Sequence, residues 1–355
     1  MLAGMGGDRR TWPDRGAFAQ TLEDATAKPP IEKTVPSPRA ILRLMRPGDW
    51  TKNSFVLLAF VFWAANAVRT EPAAAVLDRG LDALLAFAAF SLAASGFYAI
   101  NDALDAEKDR QHPVKSRRPV ASGAISRGMA IAIGVVLEVG ALAFAASLSN
   151  ALLGAVVLYG VLQALYNLKL KRMPVVDVTT IATGFALRAA AGAVAIDVRI
   201  SVWLVLCVFF LCLYLGFIKR MCDLVSAERA GSAWKPSADY RGRAELEWLL
   251  GISAVMTALM YLSYTLSDHA QSLFGARATG LALLTPLVLI AIHRFWRRAH
   301  DGSSDSPLEA LRSDGIVLSA ILLFVGLLGV VLFVPQAAEV LDSVFLSNQR
   351  GAATS

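Results

Sequence analysis

Charged residues are scarce in this sequence: they make up 17% of its 355 residues, against about a quarter in a typical soluble domain. Cysteine is scarcer still. The three cysteines, Cys207, Cys212 and Cys222, fall in or beside one apolar run, at spacings that suit neither a zinc site nor a framework of paired disulfides. The phosphate-binding motif G-x-x-x-x-G-K-[ST] is also missing. These shortages argue against a soluble globular protein, a disulfide-stapled domain and an ATP-driven pump.

Apolar residues, by contrast, make up 56% of the chain and gather into long runs. A helix needs about 20 mostly apolar residues to cross the hydrocarbon core of a bilayer, and nine such runs are present. They are centred on residues 53–69, 82–100, 128–148, 150–168, 174–196, 201–218, 247–266, 278–294 and 315–334. The sequence therefore predicts an all-α integral membrane protein with nine transmembrane helices.

The nine runs define a membrane domain over residues 41–335. Residues 1–40 contain no apolar stretch of the kind that a cleaved signal peptide requires, so we expect them to form a flexible cytoplasmic tail. Residues 336–355 are expected to form a short C-terminal tail.

Basic residues are concentrated in alternate connections between the runs. They precede the first run and follow the second, fourth, sixth and eighth, whereas the other connections carry only Arg69, Arg79, Arg199 and Arg277 nearby. Because cytoplasmic loops are enriched in lysine and arginine, this pattern predicts a multi-pass protein of the inner (plasma) membrane with its N-terminus in the cytoplasm. The net charge of +6 is then mainly topological, and no nucleic-acid partner is expected.

Three aspartates interrupt the apolar pattern directly after the second run. If that helix continues past Ile100, Asp102, Asp105 and Asp109 stand at positions i, i+3 and i+7 and share one face, with Asn101 one turn before Asp105. Like charges on one stripe repel each other, and oxygen-only ligands favour Mg²⁺. The spacing thus indicates a magnesium site, although a solvated helix end has the same pattern.

Basic side chains follow these acids at once, at His112, Lys115, Arg117 and Arg118. A carboxylate-bound metal beside fixed cations suits a diphosphate, because the metal bridges its oxygens and the cations neutralise its remaining charge. The other loops on the same side repeat this combination, with Arg46, Lys52, Tyr166, Lys169, Lys171, Arg172, Asp177, Lys219, Arg220 and Asp223. The enrichment of lysine and arginine in cytoplasmic loops explains the basic residues of this set, but it does not explain the acidic ones.

Charged residues also occur inside the fifth run. Asp177 and Arg188 are eleven residues apart, about three helical turns, and we expect them to share a face with Gly184 and Gly192, whose small size leaves room for a cavity. Charges within spans are costly and are functional candidates by default. Glu138 in the third run is a weaker candidate, since it could simply pair with another helix.

Several motifs resemble those of the UbiA superfamily of membrane-embedded prenyltransferases. "NDALDAEKD" is similar to its N-D-x-x-D-x-x-x-D motif after the second span, and a second polar motif ends in Asp177. Within the superfamily, "RPGDWTKN", "DRQHPVKSRRPVASG" and "YNLKLKRMPVVDVTTIATGFALRAAAG" are similar to motifs of the decaprenyl-phosphate phosphoribosyltransferase group. The resemblance covers roughly residues 40–335, and the His-Pro pair with Lys115 is its most discriminating part.

This resemblance implies nine helices around a central cavity that opens to the cytoplasmic side. It implies a Mg²⁺-dependent transfer of 5-phosphoribose from phosphoribosyl diphosphate to a polyprenyl phosphate, toward a lipid-linked arabinose donor for cell-envelope polysaccharide. The implied catalytic residues are Asp102, Asp105 and Asp109, which with Asn101 would bind the metal. The implied substrate-binding residues are Lys52, Asn101, His112, Lys115, Arg117, Arg118, Tyr166, Lys169, Lys171, Asp177, Arg188, Lys219 and Arg220. Trp50 and Trp63 would line a groove for the isoprenoid tail, and a homo-oligomer is compatible with the resemblance.

Two other functions remain open at this stage. An aromatic prenyltransferase that uses a polyprenyl diphosphate needs the same acidic motif, and only the "HPVKSRRP" cluster favours a sugar donor. A secondary transporter also carries intramembrane charges and glycines, but its charges usually lie near the bilayer midplane rather than at the ends of the spans.

Overall fold

The computed structural model describes residues 37–111, 114–231, 238–302 and 313–346. Within these ranges the chain is helical and contains no β-strand. Nine helices there are long and apolar enough to cross a membrane: Pro47–Thr70, Ala73–Leu104, Arg127–Leu148, Asn150–Leu168, Val176–Ala195, Val202–Arg229, Arg243–Leu266, Arg277–His300 and Gly315–Phe333. The predicted all-α fold with nine transmembrane helices is therefore confirmed. Below, these helices are called the first to the ninth span.

Shorter helices flank the spans. Pro38–Met45 precedes the first span, Ala106–Arg110 follows the second, Asp268–Phe274 lies between the seventh and eighth, and Pro335–Leu341 follows the ninth. The first span begins as a 3₁₀ helix, Pro47–Leu57, and continues as the α-helix Leu58–Thr70. The predicted domain boundaries at residues 40 and 336 stay predictions.

Serine side chains start several of the spans. Ser126, Ser149 and Ser201 each accept a hydrogen bond from a backbone N–H three residues further on, at the beginning of the third, fourth and sixth spans. An N-cap of this kind satisfies one of the N–H groups that a helix start leaves unpaired. Ser149 is also the single residue between the third and fourth spans, which makes these two helices adjacent and antiparallel.

The second and sixth spans are longer than their apolar runs. The second span continues to Leu104 and the sixth to Arg229, well past the hydrophobic stretches that predicted them. Each extension carries polar residues in helical register, Asn101 and Asp102 on the second span and Lys219 and Arg220 on the sixth. The extra turns therefore fix the positions of candidate site residues on rigid helices rather than on loops.

Small residues bring the helices together. An ideal Cβ on Gly134 would lie 2.9 Å from the carbonyl oxygen of Gly96, so the third and second spans pack through their backbones there. An ideal Cβ on Gly192 would lie 1.8 Å from the Val56 carbonyl oxygen, a distance that no side chain tolerates. The expectation that Gly192 leaves room for a cavity is wrong, because the space beside it is filled by the 3₁₀ helix of the first span.

Candidate functional site

The aspartate segment bends but keeps its helical hydrogen bonding. The second span ends at Leu104 and the helix Ala106–Arg110 begins after Asp105. The Asp105 N–H still donates to the Asn101 carbonyl, and the Asp109 N–H donates to the Asp105 carbonyl, both at 2.9 Å. Asp102 and Asp109 are buried, whereas Asp105 is partly exposed. Asp102 and Asp109 are thus turned inward at the same place, whereas Asp105, at the break between the two helices, is not buried with them.

Two arginines neutralise the buried aspartates. Arg118 Nη1 lies 2.6 Å from Asp109 Oδ2 and 3.2 Å from Asp102 Oδ1. Arg46 contacts the same Oδ1 atom of Asp102, and its guanidinium lies 5.0 Å from the centre of the Tyr98 ring. Both arginines remain about a quarter exposed, at 22% and 26%, so this acid–arginine cluster (Arg46, Asp102, Asp109 and Arg118) is accessible to a charged ligand.

The backbone at Arg46 is left-handed, with φ of 52°. This conformation is uncommon for a residue other than glycine, and Arg46 also precedes Pro47, the first residue of the 3₁₀ helix. The turn redirects the chain from the helix Pro38–Met45 into the first span and brings the Arg46 side chain over the end of the second. The strained backbone is therefore associated with the contact between Arg46 and Asp102.

A second polar cluster forms where the fifth and sixth spans meet. The Asp177 side chain is fully buried, and its Oδ2 atom accepts hydrogen bonds from Arg220 at 3.0 Å (Nε) and 2.9 Å (Nη2). The Tyr240 hydroxyl donates to the other carboxylate oxygen and accepts a bond from the Val175 N–H at 3.1 Å. Tyr166 lies close enough to Arg220 to interact with its guanidinium as well. We call this set of Tyr166, Asp177, Arg220 and Tyr240 the aspartate–tyrosine cluster.

Tyr240 was not among the site residues predicted from the sequence. It precedes the seventh span in a polar segment, and its hydroxyl supports the Val175 backbone, which has a left-handed φ of 67°. Burial, together with the hydrogen bond to the Asp177 carboxylate, raises the pKa of Tyr240 above its ordinary value. The hydroxyl therefore remains protonated and available as a donor at neutral pH. A lone tyrosine in a polar loop was the only available sequence signal.

Arg188 lies deeper in the bundle, in surroundings of its own. It is 5% exposed and donates to Asn53 Oδ1 at 2.7 Å, to the Gly184 carbonyl at 2.9 Å and to the Tyr159 hydroxyl at 2.9 Å. Within the described ranges it forms no ion pair. Arg188 and Asp177 are both buried, as predicted, but each has separate partners, so the fifth span contributes to two polar clusters rather than one.

The comparisons with known proteins agree with this architecture. The model of the UbiA prenyltransferase family matches residues 54–313, well over half of the chain. The chain belongs to the UbiA prenyltransferase family. It is 31% identical over 282 residues to the decaprenyl-phosphate phosphoribosyltransferase of Corynebacterium glutamicum, covering 78% of this chain and 82% of that one. It is 34% identical over 239 residues to the protein of the same name from Mycobacterium tuberculosis, covering 67% and 76%.

A solved structure from the same family has the same fold. The UbiA homologue from Archaeoglobus fulgidus, bound to GPP and Mg²⁺, superimposes with a TM-score of 0.58 at 20% identity, covering 83% of this chain and all of that one. At this level of identity the likeness concerns the arrangement of helices. Together with the sequence relatives it makes this chain a multi-pass membrane transferase of the UbiA family.

The metal ligands that the UbiA-type motif implies are only partly assembled. In the parts of the chain that the structure describes, no three acidic, histidine or cysteine side chains lie close enough to share a metal. The donor chemistry nevertheless fits Mg²⁺, because the set is oxygen-only and the buried Asp102 Oδ2 atom has no hydrogen-bond partner among the described residues. Magnesium binding by Asn101, Asp102, Asp105 and Asp109 stays a prediction.

The other predicted basic residues lie at the same end of the bundle, where the even-numbered spans end. Lys52 Nζ is 2.6 Å from Asp49 Oδ1, and Lys219 Nζ is 3.7 Å from Asp223 Oδ1. Lys115 and Arg117 form an exposed 3₁₀ turn. Lys169 and Lys171 lie at the 3₁₀ turn Leu170–Arg172 between the fourth and fifth spans. His112 lies outside the described residues. The substrate-binding roles of all these residues remain predictions.

Three further candidates lie apart from the two clusters. Glu138 packs against the second span, where an ideal Cβ on Gly96 would meet its Oε1 atom at 2.5 Å. Trp50 donates to Ser95 Oγ at 3.0 Å. Trp63 lines a cavity of about 360 Å³ near the opposite end of the bundle, together with Phe62, Leu204 and Tyr264. A cavity lined mainly by apolar and aromatic side chains suits an isoprenoid tail, but that role also stays a prediction.

Proposed function

We propose that this chain transfers 5-phosphoribose from phosphoribosyl diphosphate to a polyprenyl phosphate, releasing diphosphate. The observation that carries the proposal is the similarity, over most of the chain, to two proteins named decaprenyl-phosphate phosphoribosyltransferase. The site supports it through the number of its cations, because a donor with a diphosphate and a 5-phosphate, and an acceptor with a further phosphate, need several separate anion contacts.

In this proposal the acid–arginine cluster receives the diphosphate of the donor. Mg²⁺ held by Asn101, Asp102, Asp105 and Asp109 would neutralise the diphosphate and make it a better leaving group. Arg118 and Arg46, which contact the carboxylates, provide further donors for phosphate oxygens. Lys115, Arg117 and His112 bind the 5-phosphate or the remaining diphosphate charge.

The aspartate–tyrosine cluster supports the acceptor. The Asp177 carboxylate pairs with the Arg220 guanidinium and accepts a hydrogen bond from Tyr240. These contacts fix the orientation of the guanidinium, whose exposed side can then bind the lipid phosphate. Lys169, Lys171 and Lys219 add positive charge nearby, and Lys52 and Tyr166 complete the polar rim. Asp177 is thus a positioning residue for Arg220 rather than a direct ligand of the substrate.

The reaction itself requires little proton transfer. A phosphate oxygen of the lipid attacks the anomeric carbon from the face opposite the leaving group, forming a C–O bond as the bond to the diphosphate breaks. Because the lipid phosphate is already anionic at neutral pH, no strong general base is needed. Positive charge develops on the ribose as the diphosphate leaves, and fixed carboxylates and phosphates around it stabilise that charge.

The cellular setting is part of the proposal. Basic residues in alternate loops favour a plasma-membrane protein with its N-terminus and charged clusters in the cytoplasm, where a water-soluble sugar phosphate is accessible. The product would then supply a lipid-linked arabinose donor for cell-envelope polysaccharide. A homo-oligomer is compatible with this arrangement.

Purified full-length protein in detergent with Mg²⁺ tests the proposal. One reaction contains labelled phosphoribosyl diphosphate and decaprenyl phosphate, and a parallel one contains labelled prenyl diphosphate and 4-hydroxybenzoate. We expect label from the sugar donor in the lipid extract, and its loss with EDTA. Transfer only to the aromatic acceptor would overturn the sugar-donor proposal in favour of prenyl transfer. No transfer in either reaction, together with uptake of label into vesicles reconstituted with the protein, would indicate a transporter.

A further inference from the structure

A second cavity, of about 890 Å³, lies between the eighth and ninth spans. Its residues belong to neither charged cluster. Much of its wall is apolar, and the side chains of Ile290, Ile316 and Leu323 in it are 44%, 52% and 52% exposed. Because both helices are transmembrane spans, these side chains face the hydrocarbon of the bilayer. The cavity is therefore a groove open to lipid, which we call the lateral groove.

Arginines close one end of the lateral groove. Arg294 Nη2 lies 2.6 Å from Asp314 Oδ2, and Arg298 Nη1 lies 3.5 Å from the same atom. A single carboxylate therefore serves two guanidinium groups, while Arg297 lines the groove with its side chain exposed. Arg294 Nε is buried and has no hydrogen-bond partner among the described residues, so the exposed guanidinium of Arg297 is the donor group most accessible to a ligand at this end.

Asp314 is already engaged by its own helix. Its Oδ1 atom accepts hydrogen bonds from the Ile316 and Val317 N–H groups, at 3.0 and 3.2 Å, as the N-cap of the ninth span. The other aspartate in the lining, Asp301, is exposed. The described lining thus contains three arginines and two aspartates, and the positive end of the ninth helix dipole lies at the same place.

We propose that the lateral groove binds an anionic phospholipid of the surrounding membrane, with its phosphate at the arginines and an acyl chain along the apolar wall. The positive end and the hydrocarbon-facing wall together complement an anionic amphiphile. A zwitterionic lipid would bring a cation against the same arginines and is disfavoured. The volume lies in the range of small-molecule binding sites, which is enough for a headgroup and part of an acyl chain.

Lipid retention by the purified full-length protein tests this proposal. Native mass spectrometry is performed after titration with phosphatidylglycerol and, separately, with phosphatidylcholine. We expect phosphatidylglycerol to bind more tightly, and Arg297→Gln to weaken it about fivefold, the effect of roughly one basic residue near anionic lipid. Arg39→Gln removes one exposed arginine from the helix Pro38–Met45 and should leave binding unchanged.

A second variant tests the acyl-chain part of the groove separately from the headgroup part. Ser319 lines the groove and is exposed, so Ser319→Trp fills the space for the acyl chain while all three arginines remain. We expect it to displace phosphatidylglycerol without lowering the melting temperature of the lipid-free protein. Equal retention of the two lipids, or full phosphatidylglycerol binding by both Arg297→Gln and Ser319→Trp, would each overturn the proposal.

Discussion

The hydroxyl of Tyr240 donates a hydrogen bond to the buried carboxylate of Asp177, across 63 residues of sequence. The same carboxylate receives Arg220 from the sixth span. The segment before the seventh span is thereby tied to the start of the fifth and to the cation that we propose for the lipid phosphate. We therefore expect Tyr240 to act on binding of the lipid phosphate through Asp177 and Arg220.

Tyr240→Phe should reduce activity through this hydrogen bond. The change leaves an Asp177 oxygen and the Val175 N–H without this partner, and an unmet buried polar group costs about 1–3 kcal/mol. We expect kcat/KM for the lipid acceptor to fall about fivefold to a hundredfold, with a smaller change in KM for the sugar donor. Steady-state kinetics with each substrate varied in turn measure both values.

Tyr261→Phe is the matched control for that experiment. Tyr261 also donates a hydrogen bond, a partly buried one, to the Leu281 carbonyl at 2.6 Å, but it lies in neither cluster. Both variants should lose some thermal stability, and only Tyr240→Phe should lose acceptor efficiency. Equal activity losses in the two variants would mean that Tyr240 contributes to stability alone.

Asp102→Asn and Asp109→Asn should each abolish turnover. Either change removes negative charge from the predicted metal site and weakens the hold on Arg118, and we expect at least a roughly hundredfold loss of kcat. Glu107→Gln changes a carboxylate of the same segment that is exposed and pairs with Arg110 and Arg127, so it should retain activity. Full activity in both aspartate variants would contradict the metal-site assignment.

Arg188→Met tests whether the deep arginine acts on substrate. The side chain is buried and forms no ion pair within the described ranges, so its removal relieves a desolvated charge even though Asn53 and Tyr159 lose a partner. We expect turnover to fall at least about tenfold while the melting temperature changes by only a few degrees.

Arg79→Met is the control for Arg188. Arg79 also packs on an aromatic ring, 4.8 Å from the Trp63 centroid, and donates to the Ile196 carbonyl at 3.0 Å. It lies at the opposite end of the bundle from the two charged clusters. Its replacement should leave turnover intact, and similar losses in both variants would assign Arg188 to helix packing.

Gly192→Ala should destabilise the protein. The new methyl group would overlap the Val56 carbonyl, and overpacking of this kind typically costs about 1–3 kcal/mol or more. Gly154, in contrast, has nothing within 4 Å of an ideal Cβ, and Gly154→Ala in a helix interior should be neutral or slightly stabilising. Thermal unfolding of both variants in the same detergent checks the difference, and an unchanged melting temperature for Gly192→Ala would refute the close packing.

Asp314, the N-cap of the ninth span, should make the stability of the protein sensitive to acid. Burial opposes ionisation of this carboxyl, but hydrogen bonds from Arg294 and from two backbone N–H groups outweigh it and lower its pKa below the usual 3.8. The stabilisation by ionised Asp314 is therefore complete at pH values above its usual pKa, and it is lost as pH falls through the lowered pKa of the folded protein. The melting-temperature gap between wild type and Asp314→Asn should be constant near neutral pH and shrink below about pH 4. A melting-temperature difference that does not change with pH would contradict this prediction.

The sequence predicted those features that depend on neighbours along the chain. The spans follow from hydropathy, and the approach of Asp102 and Asp109 follows from helical spacing. Tyr240 with Asp177, and Arg188 with Asn53, are separated by 63 and 135 residues, and such pairs depend on how the spans pack. The prediction for Gly192 failed for the same reason. The space beside a glycine can remain a cavity or can be filled by the backbone of another helix, and the packing of a helix distant in sequence determines which.

The central claim is the identity of the donor, and one competition reaction tests it most directly. The full-length protein is incubated with Mg²⁺, decaprenyl phosphate, 4-hydroxybenzoate and equal amounts of phosphoribosyl diphosphate and a prenyl diphosphate, and the lipid extract is analysed by mass spectrometry. We predict phosphoribosylated decaprenyl phosphate in the wild-type reaction and none with Asp102→Asn. A prenylated aromatic product, with no phosphoribosylated lipid, would contradict the account.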